Sequence, residues 1–229
     1  MNTQNILDLF DNCIFDGELT EDNFWYKIVD QLPNTCCCKF EHGATKMVII
    51  PEGADYVIKI PFTGQEESVY DGCDEDGYDE YHNEYIDFDN SIYGDGWDYC
   101  LTEAVHYNKA KKNNVEKIFC KTRCIGKVSG HPIYIQERAE TYYSHRNKNM
   151  QSRSRKSKTS KEVENICIKK RFSQFHIRWQ TDVYNYYGEK IFNKFMDFIK
   201  KERIQDLHSD NIGYLGARPV ILDYSGWFE

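Results

Sequence analysis

A chain of 229 residues has room for one or two domains and a buried core. Its 37 acidic residues outnumber its 29 basic ones, for a formal net charge of -8, which excludes a general nucleic-acid binder because phosphate contacts need a cationic surface. Aromatic residues make up 15% of the chain, Tyr above all, and that content excludes a disordered polar polymer.

Apolar positions at helical spacing (Ile6, Leu9, Phe10, then Phe24, Trp25, Ile28, Val29 and Leu32) predict an N-terminal helical extension over 1–35. Thr20, with Asn23 behind it, is the expected cap of the second segment, and Pro33 its end. Met1 to Leu9 lacks a basic region followed by an apolar core, and no apolar run approaches the roughly 18–20 residues of a membrane span. The expected location is therefore the cytoplasm.

The β-rich part follows. Met47 to Ile50 and Tyr56 to Ile60 are predicted strands joined by the turn Pro51 to Asp55, hence a hairpin. Residues 64–98 then change character. Glu66, Glu67, Asp71, Asp74, Glu75, Asp76, Asp79 and Glu80 begin an acidic, Tyr-rich run, and no Lys or Arg occurs between Lys59 and Lys109. This stretch reads as an insertion or long loop with a strong negative field. Its two readings are a solvated loop, or a row of carboxylates that imitates a phosphate backbone and occupies a partner's basic groove.

A helix is expected from Tyr99 to about Asn114, with strands at Lys117 to Cys120, Cys124 to Gly126 and Pro132 to Gln136. Residues 144–161 mirror the acidic stretch: Arg146, Lys148, Arg153, Arg155, Lys156, Lys158 and Lys161 stand among serines. That composition reads as a solvated loop, or as an autophosphorylation site or an anchor for an acidic partner. Helical patterns resume over Val163 to Trp179 and Asp182 to Lys201. The order is helices, strands, helix, strands, helices and a strand-rich end, which makes the class α+β.

Nine cysteines, an odd number, are most simply reduced thiols in a cytoplasmic protein. Adjacent Cys36, Cys37 and Cys38 make poor tetrahedral partners for one zinc ion, and Cys120 and Cys124 are expected to be buried packing residues.

The end of the chain carries the chemistry. Asp206 is followed five residues later by Asn211, and the apolar run Val220 to Leu222 delivers Asp223 shortly before Gly226. Phosphoryl transfer needs such a set: one carboxylate to orient or deprotonate an acceptor hydroxyl, and an amide oxygen and a second carboxylate to hold magnesium on the phosphates. The plain alternative is that Asp206 and Asn211 cap a turn, as Asp and Asn often do. His208 reads as a structural hydrogen-bonding residue.

Asp206-Leu207-His208-Ser209-Asp210-Asn211 resembles the catalytic loop D-L-[KH]-x-x-N of the protein-kinase and aminoglycoside-phosphotransferase superfamily. Asp223-Tyr224-Ser225-Gly226 resembles its D-F-G element, with Tyr224-Ser225 in place of Phe. The resemblance spans roughly 38–226, and the size is similar to that of small kinase-like proteins of phages and mobile elements, which would act in a bacterial host cell. It implies a bilobal fold, with a small β-rich N-lobe over 36–140 that carries the acidic insertion and a reduced helical C-lobe over 141–229. It implies ATP and magnesium as cofactors, with Asp206 as catalytic base and Asn211 and Asp223 as metal ligands. Val57-Ile58-Lys59 resembles the V-A-I-K strand, so Lys59 would hold the α and β phosphates, and Glu103 stands where the ion-pair glutamate is expected. Gly43, within Glu41 to Lys46, falls at the glycine-rich loop, and Gln136 and Glu137 fall at the hinge that reads adenine. Read alone, Lys59 is an edge-strand lysine, and Glu103 is either an ion-pair partner or a residue on a solvated helix face.

The sequence departs from the family pattern in three places. Ile204-Gln205 replaces the expected His-Arg or His-Gly, the glycine-rich loop has one clear glycine, and Glu229 follows Gly226 closely with no A-P-E element. The function implied is an ATP- and magnesium-dependent phosphotransferase, with a protein Ser or Thr hydroxyl as a candidate acceptor. The alternative is a catalytically weak kinase-like binding protein or inhibitor that meets an unknown protein partner through its acidic insertion.

Overall fold

The structure is a computed structural model, which describes residues 3–15, 17–33, 37–73, 79–87, 98–148, 158–172, 175–204 and 206–225; for 64–73, 79–87 and 146–148 it describes the backbone alone. The protein is α+β, with antiparallel strand pairing in each of its three sheets. It divides into two compact units, one of residues 1–101 with 123–136 and the other of 102–122 with 137–229.

The first unit begins with a short helix, α1 (Thr3–Leu7), and a second, α2 (Phe24–Lys27). Of the apolar positions expected there, Ile6, Phe10, Phe24, Ile28 and Leu32 are buried, Leu9 and Val29 are half-buried, and Trp25 is exposed; Phe15 and Leu19 join the buried ones in one core with Met47, Ile49, Ile58, Ile60 and Phe62. Capping differs from expectation. The Thr20 hydroxyl is buried without a hydrogen-bond partner, and it is the Thr20 N–H that donates to Asn23 Oδ1, at 2.9 Å. A single helical turn leaves only a few orphan donors, and the Asn side chain reaches back to one of them.

The strands that cover this core are β1 (Cys38–Gly43), β2 (Lys46–Pro51) and β3 (Tyr56–Pro61). The predicted hairpin is the β2–β3 pair, in a register that sets Val48 opposite Lys59 and Ile49 opposite Ile58. Two more strands, β4 (Gly64–Cys73) and β5 (Asp79–Asp87), pair with each other. The stretch read as a loop thus contains a hairpin in its backbone. Its acidic side chains lie outside the described residues, as do 74–78 and 88–97 altogether.

Asp98 opens α3 (Tyr99–Lys112): its Oδ1 accepts the Leu101 N–H at 2.8 Å while its Oδ2 accepts the Tyr134 hydroxyl. The strand expected at Lys117 to Cys120 is instead a 3-10 turn over Glu116–Ile118, followed by one parallel bridge between Phe119 and Ile221. Ile118 and Phe119 there are buried in the core of the second unit. After it come β6 (Thr122–Val128) and β7 (His131–Glu137), which complete a five-stranded sheet in the order β1-β2-β3-β7-β6. Cys120 is buried as expected, but Cys124 is exposed, because the pleat of β6 turns it away from the core.

The second unit continues with β8 (Glu140–Thr141), α4 (Tyr142–Lys148), α5 (Ser160–Lys169), α6 (Ile177–Tyr187) and α7 (Glu189–Glu202). The two predicted helical runs are therefore three helices. The first run breaks between Lys169 and Ile177, where Arg171 and His176 adopt positive φ. The second breaks at Gly188, which ends α6 and begins α7 at φ 81°, a conformation that glycine adopts without a Cβ penalty. Most of the basic loop, 149–157, lies outside the described residues.

Thr159 caps α5 reciprocally: its hydroxyl oxygen accepts the Glu162 N–H, and Glu162 accepts the Thr159 N–H at 2.7 Å. Thr159→Ala is expected to remove about 1 kcal/mol of stability, the usual worth of such a cap. A melting curve checks it, with a fall of roughly 2–4 °C expected for a chain of this size.

The core of this unit is aromatic. Trp179, Phe192, Phe195, Phe198, Phe119 and Tyr224 are all buried in it. It positions the last two strands, β9 (Ile212–Leu215) and β10 (Arg218–Ile221), which join β8 in a three-stranded sheet. Trp179 Nε1 donates to the Gly213 carbonyl at 3.1 Å, and the Tyr214 hydroxyl donates to Asp182 at 2.7 Å, so α6 holds β9 through two polar contacts. Among the described residues no helix is long and apolar enough to cross a membrane.

Candidate functional site

The segment that holds Asp206 is fixed from both sides by apolar anchors. Helix α7 stops where Arg203 turns left-handed at φ 53°, and Ile204 and Leu207 are buried against the aromatic core. Asp206, between them, keeps a partly exposed carboxylate. A tight turn follows, closed by the Asn211 N–H on the His208 carbonyl at 3.1 Å, and delivers Asn211 into a buried position at the start of β9.

Asn211 gathers the site. Its amide Nδ2 donates to the Asp206 carbonyl at 2.7 Å and to the Asp206 carboxylate at 3.2 Å. Its own main-chain carbonyl accepts from the N–H groups of Leu222, at 2.8 Å, and Asp223, at 3.3 Å. Asp206 is thereby tied to the side chain of Asn211, and Asp223 to its main chain. The β9–β10 hairpin explains the second link, because Ile212 pairs with Ile221 and the next residues outward are Asn211 and Leu222.

Asp223 is oriented by its own loop. The Ser225 hydroxyl donates to Asp223 Oδ1 at 2.8 Å, and the Ser225 N–H approaches the same oxygen at 3.3 Å. His208 faces two carboxylates: Nε2 lies 3.6 Å from Asp206 Oδ1, and Nδ1 lies 3.6 Å from Asp210 Oδ2. Nδ1 also accepts the Asp210 N–H at 3.3 Å, so in the neutral ring the proton sits on Nε2, toward Asp206.

The donor set suits a hard divalent cation. Both Asn211 Nδ2 contacts are donations, so Oδ1 is the atom of this side chain that could meet a metal, and the Asp223 carboxylate would be a second hard oxygen donor. Among the described residues no group of three or more His, Cys, Asp or Glu is placed to hold a metal alone. Magnesium bound with substrate phosphates requires no such cage, since one or two carboxylates plus phosphate oxygens complete its shell.

The other expected residues are also located. Glu103, on α3 in the second unit, is fully buried, so it is not on a solvated helix face; it accepts the Thr122 hydroxyl at 3.1 Å. Lys59, in the first unit, is buried on β3, the middle strand of five, and is not an edge-strand lysine. Gly43 ends β1 in an exposed position before the two-residue turn Ala44–Thr45, and a Cβ there would meet nothing within 4 Å. Gln136 is buried near the end of β7. Glu137 donates its N–H to the Lys121 carbonyl at 3.2 Å, and its carboxylate accepts the Lys121 N–H at 2.9 Å and faces Arg218 at 3.5 Å.

Sequence reasoning missed Ser225 as an orienting residue, although a hydroxyl two positions after Asp is a common local turn partner. It missed His106 and Thr122 as well, whose contacts with Tyr224 span about a hundred residues and leave no periodic trace. No protein-family model matches the chain, and no curated protein matches it either.

Proposed function

We propose that the protein is an ATP- and magnesium-dependent phosphotransferase with a protein-kinase-like, bilobal organisation. The observation that carries this reading is the double use of Asn211, which holds Asp206 by its side chain and Asp223 by its main chain. A turn cap needs only one of these links. Phosphoryl transfer needs a base and a metal-binding carboxylate held at a constant separation, because its catalysis is mostly positioning and charge stabilisation.

In this reading Asp206 receives the proton of an acceptor hydroxyl. Asn211 Oδ1 and Asp223 would hold magnesium, which supplies charge neutralisation on the phosphates. The phosphate roles of Lys59 and Gly43 and the adenine role of Gln136 and Glu137 rest on the resemblance alone. A serine or threonine hydroxyl of another protein is the proposed acceptor.

The test is a titration of ATP with magnesium, followed by melting temperature, with Asp223→Ala in parallel. At 100 times its dissociation constant a ligand adds about 2.7 kcal/mol to the folded state. The wild-type protein is expected to gain a magnesium-dependent rise that Asp223→Ala loses. No rise at millimolar ATP, or an equal rise in the variant, would overturn the proposal.

A further inference from the structure

The loop that carries Asp223 is held from behind by a buried polar chain. Tyr224 is almost completely buried, yet it keeps a phenol hydroxyl in the aromatic core. That hydroxyl shares its one proton between the Cys120 carbonyl, at 2.6 Å, and the Thr122 hydroxyl oxygen, at 3.1 Å. Thr122 in turn donates to Glu103 Oε2 at 3.1 Å. From the same face of α3, His106 Nδ1 lies 3.0 Å from the Tyr224 carbonyl. A carbonyl only accepts, so this ring nitrogen carries the proton. Glu103, His106, Thr122 and Tyr224 all belong to the second unit.

Packing alone does not require this arrangement. A phenylalanine would fill the ring's place against Phe119, whose centroid lies 5.1 Å from that of Tyr224. The added hydroxyl is tolerated in the core only because it is satisfied, and the chain beyond it ends on a buried carboxylate. Burial, with the negative charge of Glu103 next in weight, holds the Tyr224 phenol well above its usual range, so it remains a donor. Burial likewise pushes His106 below the usual imidazole range, which favours the neutral ring.

We propose that Thr122, Tyr224 and His106 are positioning residues for Asp223: through them α3 sets the place of the metal-binding carboxylate. The assignment rests on the metal-site reading above. Glu103 accepts from Thr122 at the far end of this chain of hydrogen bonds. None of the three touches the acceptor or the phosphates.

Two isosteric changes test it, the first with a control. Thr122→Val keeps the shape and removes the hydroxyl, Thr122→Ser restores the hydroxyl, and Tyr224→Phe removes the phenol donor alone. The first readout is the magnesium concentration at half-maximal ATP-dependent stabilisation. Thr122→Val and Tyr224→Phe are each expected to raise it about tenfold, the scale of one hydrogen bond in a chain that ends on a charged group, and Thr122→Ser to return it to within about twofold. A wild-type magnesium midpoint in both Val and Phe variants overturns the assignment.

The second readout is amide hydrogen exchange at Asp223 and Ser225, whose N–H groups are bonded in the folded protein. It needs no nucleotide, so it judges the clamp even if ATP binding itself fails. Exchange at these two amides about tenfold faster in the Val and Phe variants, with the Ser variant unchanged, supports the clamp. Unchanged exchange in all three overturns it.

Discussion

Asp206→Asn is expected to lower phosphoryl transfer by about 10²–10⁴-fold, the usual contribution of a positioned base. The substitution is isosteric, and the surrounding geometry should survive it. The stronger of the two Asn211 contacts, at 2.7 Å, goes to the main-chain carbonyl of residue 206 and does not depend on the side chain. The weaker one, at 3.2 Å, requires only an acceptor oxygen, which the amide still offers. What is lost is the basicity of the carboxylate and the charge that faces His208. ATP–magnesium stabilisation should persist, because the proposed metal ligands are Asn211 and Asp223. Single-turnover release of ADP, measured beside the thermal shift, separates the two effects. Wild-type turnover in this variant would remove Asp206 from the role of base.

The largest structural effect is expected from Gly213→Ala. Gly213 pairs with Val220 on one side and Thr141 on the other, at the centre of the three-stranded sheet. A Cβ built there would lie 2.0 Å from the Glu140 carbonyl oxygen and 2.8 Å from Leu222 Cδ1. The first contact is with backbone, which no rotamer change relieves, so β8 has to separate from β9. Overpacking of this kind costs about 1–3 kcal/mol, and a rigid backbone neighbour puts it at the upper end. For a chain of this length about 3 kcal/mol corresponds to a melting temperature lower by roughly 6–12 °C. Leu222 precedes Asp223, so the magnesium-dependent shift should weaken as well. A melting temperature within a degree or so of wild type would show that β8 is free to yield.

Sequence and structure agree where the determinants are local. The Tyr56 to Ile60 strand was legible because its apolar run is short and preceded by a turn, and β2 and β3 pair antiparallel as the expected hairpin. The grouping of Asp206, Asn211 and Asp223 was legible because the apolar run from Val220 to Leu222 and the loop before it lie close in sequence. Less was legible where one residue overrides a pattern. Gly188 interrupts an apolar periodicity that runs on through Ile191 and Phe195. Lys117 to Cys120 has the look of a strand, but Ile118 and Phe119 are buried in the core of the second unit. The burial of Glu103 was not legible either. It follows from Thr122 and from the company of Tyr224, and such long-range polar partners have no spacing rule.

The way Asn211 closes on Leu222 bears on how the protein folds. These two residues are about eleven positions apart, whereas Thr122 and Tyr224 are separated by 102. The entropy of closing a flexible chain grows with the logarithm of its length, so the longer link is harder to form by roughly 2 kcal/mol. The turn around Asn211 has low contact order and can assemble with its hairpin, before distant parts of the chain have met. The Tyr224 contacts have to wait for α3 and the Cys120 segment. The acidic groups would then be collected early, and their final aim would be set later, by contacts between distant parts of the chain.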